Sequence, residues 1–344
     1  MATVRYLQSR TGTTESQEMC EVTAMVQSPS ASWSAWGGPD GLRPARLSVG
    51  VVSAGRVGSA LGVALERAGH VVVACSAISR ASRDRAARRL PDTAVLPVHD
   101  VAARAELLVL AVPDSELGAL VSGLAATSAV RPGTIVAHTS GANGVGVLAP
   151  LTEQGCIPLA IHPAMTFTGS DEDISRLPDT CFGVTAADEV GYAIAQALVL
   201  EIGGEPFRVR EDARTLYHAA LAHASNHLVT VVLDSLTALR HALRGNELLG
   251  QELVGEAPGG LAERIVGPLA RASLDNALQR GQSALTGPVA RGDAAAVAGH
   301  LLALTESDPE LAQAYRANSL RTAQRAHAPK EVFDVLARKV TDQQ

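Results

Sequence analysis

Three polar clusters hold the side chains that are best suited to proton transfer or to hydrogen bonding with a small molecule. The first, His138–Asn143, and the second, Ile161–Phe167, come at the ends of apolar runs, and the third, Tyr217–His227, lies in a stretch with helical periodicity. Imidazole titrates near neutral pH and can donate a proton, while hydroxyl and amide groups can hold an oxygen atom. The candidate catalytic residues are therefore His218, Asn226, His162 and Ser140.

Each cluster also has a purely structural interpretation. Small and polar residues after a strand form turns, and a histidine at such a place can be buried and fully hydrogen-bonded. In the third cluster, residues three and four apart share one side of a helix, so that His218, Ser225 and Asn226 would face a cleft together across Ala222. The other two histidines of this cluster have the spacing of metal ligands, but the sequence offers no third ligand. We therefore expect no metal site.

Backbone N–H groups and one arginine are the candidates for holding a carboxylate. The small residues after the first strand end would leave the backbone of Thr139 and Gly141 free to bind an anion. The Gly/Pro-rich segment Leu285–Asp293 contains Arg291, whose guanidinium suits a bidentate contact with a carboxylate. Asp293 is equally suited to serve as the N-cap of the helix that follows. The expected substrate-binding residues are thus Thr139, Gly141 and Arg291.

The segment Ser53–Gly58 nearly matches the G-x-G-x-x-G fingerprint of dinucleotide-binding turns. It has the required context, because it follows the apolar run Leu47–Val52 and opens a helical stretch. Gly55 would let the backbone approach a pyrophosphate, Gly58 would let the helix pack close to the sheet, and the helix N-terminus favours an anion. Ser53 replaces the first glycine and would be strained if the turn needs a positive φ. The expected cofactor contacts of the turn are Ser53, Ala54, Gly55, Arg56, Val57 and Gly58.

The end of the next predicted strand favours NADP(H) over NAD(H). An NAD-selective site places an acidic residue about 20 residues after the turn, but here the first acid is Asp84. Hydroxyl and guanidinium groups suit a 2′-phosphate instead. The residues of this kind are Ser79, Arg80, Ser82 and Arg83. A helix N-cap followed by a solvated basic face is the structural alternative. After a further apolar run, Val112 and Pro113 are expected to pack on the nicotinamide.

The order of the predicted elements indicates an α/β fold followed by helices. Between residues 46 and 210, apolar runs alternate with helical stretches, which predicts a mostly parallel sheet with helices on both faces. From residue 211 to 344 only helical stretches follow, and the first is predicted as one long helix to about Arg244. Residues 1–45 are rich in Ser, Thr, Gln, Gly and Pro and are expected to form a flexible extension. This layout places an active site in the cleft between the two halves.

Composition argues against several classes of protein. Lys plus Arg is 29 and Asp plus Glu is 35, and the resulting net charge of −6 argues against a nucleic-acid partner. No apolar run approaches the ~20 residues that cross a bilayer, and no secretory signal is evident. The four scattered cysteines favour a reducing, cytoplasmic location.

Five motifs give the sequence a family resemblance: SAGRVG, HTSGA, HPAMTF, LYHAALAHASN and LTGPVARGD. Together they resemble the predicted oxidoreductases that join a Rossmann-like domain to a DUF2520 domain. The resemblance spans residues 47–325 and extends to the 6-phosphogluconate dehydrogenase-like class, which includes ketopantoate reductase and pyrroline-5-carboxylate reductase. It implies a Rossmann-like NADP-binding domain over 46–210 and a helical domain over 211–344, like the C-terminal domain of 6-phosphogluconate dehydrogenase. It also implies a homodimer through the helical domain and hydride transfer in the cleft.

One departure from that class bears on the mechanism. The related β-hydroxyacid dehydrogenases place a lysine four residues before an asparagine of the central helix, but here residue 222 is alanine and the first lysine is Lys330. We therefore expect His218 to donate the proton, with His162 as the reserve acid, in the NADP(H)-dependent reduction of a small 2-oxo acid such as ketopantoate. Two alternatives stay open. One is reduction of a cyclic imine, which can arrive protonated, and the other is a cofactor-binding sensor or assembly protein without catalysis.

Overall fold

An eight-stranded sheet forms the first part of the molecule in the computed structural model, which describes residues 46–244 and 259–338. The predicted extension, residues 1–45, lies outside the described residues. The strands are β1 Ser48–Val52, β2 Val71–Cys75, β3 Ala94–Val95, β4 Leu107–Leu110, β5 Ile135–His138, β6 Ile157–Pro163, β7 Cys181–Ala186 and β8 Glu205–Arg208. Their order in the sheet is β3-β2-β1-β4-β5-β6-β7-β8. Pairing is parallel throughout except between β6 and β7, which confirms the mostly parallel sheet.

Helices cover both faces of this sheet, because its central strands are apolar on both sides. All four residues of β4 are buried, which is the pattern of a strand covered from both directions. The helices of this part are α1 Arg56–Arg67, α2 Arg80–Arg89, α3 Val98–Arg104, α4 Asp114–Ala126, α5 Ala149–Thr152, α6 Glu172–Arg176 and α7 Glu189–Glu201. One core contains side chains of α1 and α7, and the other contains side chains of α3, α4 and α5.

The order in which the chain adds strands to the sheet changes direction between β1 and β4. From β1 the chain continues outward through β2 and β3, and it then returns to place β4 on the other side of β1. In open parallel sheets ligands bind in the crevice at such a switch point. The residues that follow β1, β4, β5 and β6 therefore all lie along one edge of the sheet, which is the edge expected to hold a ligand.

The second part of the molecule is helical, as predicted. Its helices are α8 Arg214–Ala222, α9 Leu228–Leu243, α10 Leu261–Arg280, α11 Gly287–Arg291, α12 Ala294–Ser307, α13 Pro309–Ala326 and α14 Lys330–Ala337. The expected single helix from 211 to about 244 is interrupted. It begins with the 3₁₀ turn Glu211–Ala213, and the π-helical turn His223–His227 separates α8 from α9. None of the described helices is long and apolar enough to cross a bilayer.

Burial is unevenly distributed among these helices. Residues of α11 to α14 form a small core of their own, which includes Val297, Leu301 and Val332. In contrast, the 16-residue helix α9 buries only Leu236, and the 20-residue helix α10 buries only Ala262, within the part of the chain that the structure describes. These two helices therefore leave most of their apolar side chains in contact with solvent in a single chain.

Candidate functional site

The turn after β1 places Ser53 in the left-handed region of backbone space. Its φ is +73°, which glycine adopts without strain and serine rarely adopts. The turn is held by Ser76, whose Oγ accepts a hydrogen bond from Ser53 N (2.9 Å) and whose carbonyl accepts one from Ala54 N (2.7 Å). The sequence indicated strain at Ser53 if the turn needed a positive φ, and the structure meets that condition.

The start of α1 is open to an anion. Gly55 is the N-cap, and within the described chain no side chain caps this end and no acid lies in the first turn. A Cβ atom at Gly58 would overlap the carbonyl oxygen of Ser53 and lie 3.0 Å from the Ala111 Cβ, so only glycine allows this close approach. Ala54 is fully buried and its N–H donates to the Ser76 carbonyl, so Ala54 itself is not available to a ligand. Free N–H groups at a helix N-terminus fit the pyrophosphate of a dinucleotide.

At the start of α2, the two serines serve the helix itself. Ser79 is the N-cap and accepts a hydrogen bond from Ser82 N (3.1 Å), while Ser82 Oγ donates to the Ser79 carbonyl (2.8 Å). Arg83 donates to the carbonyl of Ile78 (2.7 Å), and Arg80 is exposed. Capping of α2 thus accounts for the two serines, and Arg80 and Arg83 are the groups available to a 2′-phosphate. Val112 and Pro113 follow β4; Val112 is half-buried and Pro113 is exposed.

A cavity of about 560 Å³ lies between the segment after β6 and the start of the helical part. Its lining residues are His162, Ala164, Met165, Thr166, Phe167, His218, Leu221, Ala222, Ala224, Ser225 and Asn226. The structure therefore brings together three of the four candidate catalytic residues: His162, His218 and Asn226. It also places Ser225 beside them, as the helical spacing indicated.

The π-helical turn His223–His227 determines which side chains of this segment reach the cavity. Its wider turn lets Ala224, Ser225 and Asn226 border the cavity in succession, and π-turns of this kind are frequent at functional sites. Ser225 Oγ donates to the carbonyl of Leu221 (2.8 Å), so its hydroxyl group already serves the helix. No group of three or more residues able to hold a metal ion occurs among the described residues.

His162 is tied to a tyrosine that sequence reasoning did not select. Its Nδ1 lies 2.9 Å from the Tyr217 hydroxyl, and the two rings meet edge to face. Burial and the positive charge of Arg214 lower the pKa of His162 to about 4. At pH 7 the ring is therefore neutral, and the expectation that His162 titrates near neutrality is wrong.

Gly141 allows the two histidines to approach each other. The ring centroids of His162 and His218 are 5.9 Å apart. A Cβ atom at Gly141 would lie 2.6 Å from His218 Cδ2 and 2.9 Å from His162 Nε2, so any larger residue would clash with both rings. Gly141 thus keeps the space between the two rings free of a side chain, and its backbone contact with a carboxylate stays a prediction.

Arg214, at the start of α8, is the largest fully buried side chain of the described residues, and sequence reasoning missed it. Its donors reach Thr185 Oγ1 (2.7 Å) and the carbonyls of Ala160 (2.9 Å), Gly183 (3.0 Å) and Ser140 (3.4 Å). It has no carboxylate partner among the described residues, and burial lowers its pKa to about 10. A cation therefore lies behind the histidine pair. The sequence gives no local signal for this burial, since Arg214 is simply a residue near the start of the long helix predicted from residue 211.

Four other candidates, Ser140, Thr139, Gly141 and Arg291, do not line this cavity, and neither does His138. Ser140 is buried, and its Oγ accepts hydrogen bonds from Asn143 N (3.0 Å) and Asn143 Nδ2 (2.9 Å), which is a turn role. His138 is also buried, with Nε2 donating to the Gly144 carbonyl and Nδ1 accepting from Ser140 N. Thr139 and Arg291 are absent from the lining. Arg291 is exposed at the end of α11, and Asp293 caps α12 by accepting from Ala296 N (3.0 Å).

One hydrogen bond connects the turn after β1 to the cavity. Arg56, the first residue of α1, donates from Nη1 to the carbonyl of Phe167 (3.2 Å), and Phe167 lines the cavity. The two candidate regions are therefore neighbours along the same edge of the sheet.

Comparison with known families matches both halves of the chain. Residues 26–163 match the Rossmann-like domain, and residues 180–322 match the domain of unknown function DUF2520. The first segment is similar to the Rossmann-like domain and the second to the DUF2520 domain of the proteins that the motifs of this chain resemble. A search of curated proteins gave no match.

Solved structures share the fold at low sequence identity. A candidate NADP oxidoreductase (BF3122) from Bacteroides fragilis is 19% identical with a TM-score of 0.62, covering 81% of this chain and 98% of that chain. Protein TM1727 from Thermotoga maritima is 20% identical with a TM-score of 0.56 and the same coverage, 81% and 98%. An imine reductase from Pseudomonas sp. is 16% identical with a TM-score of 0.52, covering 85% of this chain and 100% of that chain.

Proposed function

We propose that this protein is an NADP(H)-dependent reductase that acts on a small substrate held in the histidine-lined cavity. The observation that carries the proposal is the Arg56–Phe167 hydrogen bond, because it joins an open helix N-terminus to the wall of that cavity. A nucleotide and a substrate could thus occupy adjoining places at one edge of the sheet. The Bacteroides fragilis neighbour, described as an NADP oxidoreductase, has the same fold.

The cofactor would be held by groups whose chemistry fits it. Backbone N–H groups at the start of α1 suit the pyrophosphate, and the space kept open by Gly58 lets the chain approach it. The exposed guanidiniums of Arg80 and Arg83 suit a 2′-phosphate, which favours NADP(H) over NAD(H). When bound, reduced nicotinamide supplies a hydride.

In the proposed reaction, the substrate carbon accepts that hydride and the electron pair of its double bond moves to oxygen or nitrogen. The His218 imidazole would donate a proton to that atom, because His218 lines the cavity without a hydrogen bond to another described residue. The Asn226 side chain, on the same wall, would hold the same atom by its amide. The products are an alcohol or amine and the oxidised nucleotide.

The substrate class is the open part of the proposal. A 2-oxo acid such as ketopantoate needs a cation for its carboxylate, but the residues that line the cavity include no arginine or lysine within the described chain. A cyclic imine can arrive protonated, and one without a carboxylate, unlike pyrroline-5-carboxylate, needs no such anchor. This observation favours imine reduction as the second candidate, and the Pseudomonas neighbour is described as an imine reductase.

A homodimer through the helical part and a cytoplasmic location complete the proposal. The homodimer is supported by the exposed apolar side chains of α9 and α10, among them Leu233, Leu269 and Leu278. The cytoplasmic location is supported by the cysteines, because Cys75, Cys156 and Cys181 are free thiols.

A titration followed by an activity assay tests the function. NADPH and NADH are titrated against the purified protein, and NADPH consumption is then followed with a panel of 2-oxo acids and cyclic imines. Binding of NADPH in preference to NADH together with turnover of one panel supports the proposal, and the panel identifies the substrate class. Tight NADPH binding without turnover of either panel supports the alternative of a sensor or assembly protein. Failure to bind either nucleotide contradicts the proposal.

A further inference from the structure

The hydrogen bond between Tyr217 and His162 determines which ring nitrogen of His162 carries the proton. Tyr217 Oη lies 2.9 Å from His162 Nδ1 and has no other hydrogen-bond partner among the described residues. If Nδ1 carried the proton, the hydroxyl proton of Tyr217 would lack an acceptor in that part of the chain. The arrangement that satisfies both groups has Tyr217 donating to Nδ1, which leaves the proton of the neutral ring on Nε2.

Nε2 is the nitrogen left available to a ligand. It makes no hydrogen bond to any residue that the structure describes, and His162 lines the cavity. Gly141 lies against this ring, and a Cβ atom there would lie 2.9 Å from Nε2. His162 and His218 both line the cavity, so an N–H donor on His162 and the ring of His218 can contact the same bound substrate.

The surroundings of His162 keep its ring neutral. Arg214, Tyr217 and His218 approach it from α8, His138 from β5, and Asp114 from the start of α4. Arg214 and burial lower the pKa of the ring to about 4, and the opposite effect of Asp114 is smaller. A neutral imidazole cannot act as the imidazolium acid, but its N–H can stabilise charge that develops on a nearby atom.

We propose that Tyr217 is a positioning residue that fixes His162 in its Nε2–H tautomer, so that His162 serves as a hydrogen-bond donor to the substrate atom that gains the electron pair. The inference rests on the proposed reductase function for the identity of that atom. It separates the tasks of the two histidines: His162 donates a hydrogen bond and keeps its proton, and His218 gives its proton to the product.

Nuclear magnetic resonance tests the tautomer without any need for turnover. The ten histidines of the full chain are labelled with ¹⁵N, and long-range ¹H–¹⁵N correlations report which nitrogen of each ring carries hydrogen. The His162→Gln variant assigns the signals of His162. We expect a protonated Nε2 and an unprotonated Nδ1 at pH 7, and a mixture of both tautomers in Tyr217→Phe. An Nδ1–H tautomer in the unmodified protein overturns the inference, whether or not the variant folds.

Kinetics test the consequence with a matched control. The helical part holds a second pair of the same kind, in which the Tyr315 hydroxyl lies 2.9 Å from His300 Nδ1. We expect Tyr217→Phe to lower kcat about 10-fold or more with the KM for NADPH unchanged, and Tyr315→Phe to leave both unchanged. Equal kcat values for the two variants overturn the positioning role.

The two proposals fail in different ways. If the expected tautomer is observed but no substrate is reduced, the reductase function is wrong and the geometry of His162 stands. If turnover is observed while His162 carries its proton on Nδ1, the reductase function stands and the role of Tyr217 is wrong.

Discussion

His218 and His162 lie on one cavity wall, yet their surroundings give them different chemistry. Nδ1 of His162 is hydrogen-bonded to Tyr217, and burial together with the charge of Arg214 lowers the pKa of its ring. His218 lines the cavity without a hydrogen bond to another residue of the described chain. Its ring is therefore free to contact a substrate, and the proposed role of acid falls to His218.

We expect His218→Ala and Asn226→Ala each to lower kcat by roughly 10²-fold or more, because each removes a group that serves the transition state. The affinity for NADPH, measured by fluorescence titration, should stay unchanged, because neither residue belongs to the turn after β1. His99→Ala is the control, since His99 is exposed on α3. Turnover at the unmodified level in both variants would remove these two assignments.

The protonation of His162 shows what a local sequence pattern cannot predict. The sequence indicated that His162 follows a strand and that imidazole can act as an acid. The pKa of the ring, however, is lowered by burial and by the charge of Arg214, and its Nδ1 is held by Tyr217, 55 positions away along the chain. Such partners are brought together only by the fold, so a local pattern cannot reveal them. Ser140 was selected for its hydroxyl group, and that hydroxyl is consumed by a turn with Asn143.

At the scale of elements, the junction between β1 and α1 depends on the absence of a side chain at Gly58. We expect Gly58→Ala to weaken NADPH binding at least about 10-fold, because its Cβ would overlap the Ser53 carbonyl and displace the turn. Gly118→Ala is the matched control: Gly118 lies in α4, where a Cβ would meet nothing within 4 Å. That control should leave binding unchanged and raise the free energy of unfolding by about 0.5–1 kcal/mol. NADPH titration and thermal denaturation measure both effects, and equal affinities for the two variants would contradict the role of Gly58.

The elements themselves were largely predictable, and the exceptions have physical reasons. Continuous apolar runs such as Leu107–Leu110 identify buried strands because both faces must be apolar. The π-helical turn His223–His227 has no such signature, since the same residues also fit an α-helix. The segment with Arg291 is rich in turn residues, which indicated a functional loop. In the described chain it forms the short helix α11, and Arg291 does not line the cavity.

At the scale of the whole molecule, α9 and α10 carry exposed apolar residues that the proposed homodimer would cover. Leu269 is 66% exposed and Leu278 is 78% exposed, and a helix with so little burial gains almost no stability from packing. A second copy of the chain is the partner that the proposed homodimer supplies.

We therefore expect the Leu274→Glu/Leu278→Glu double variant to halve the molar mass measured by light scattering after gel filtration, because these residues lie four apart on one side of α10, 45% and 78% exposed, and charges there oppose burial against another copy. Val190→Glu is the control: Val190 is 68% exposed on α7, away from these helices, and its substitution should leave the mass unchanged. A monomeric mass for the unmodified protein would contradict the homodimer.

The four hydrogen bonds of Arg214 also limit how this molecule can move. They fasten the first turn of α8 to β6, to β7 and to the loop after β5. Pulling that turn away from the sheet would strip a buried cation of its acceptors, which costs several kcal/mol. Any hinge that opens and closes the cleft must therefore lie beyond this residue, so that the sheet and the base of α8 travel as one rigid body.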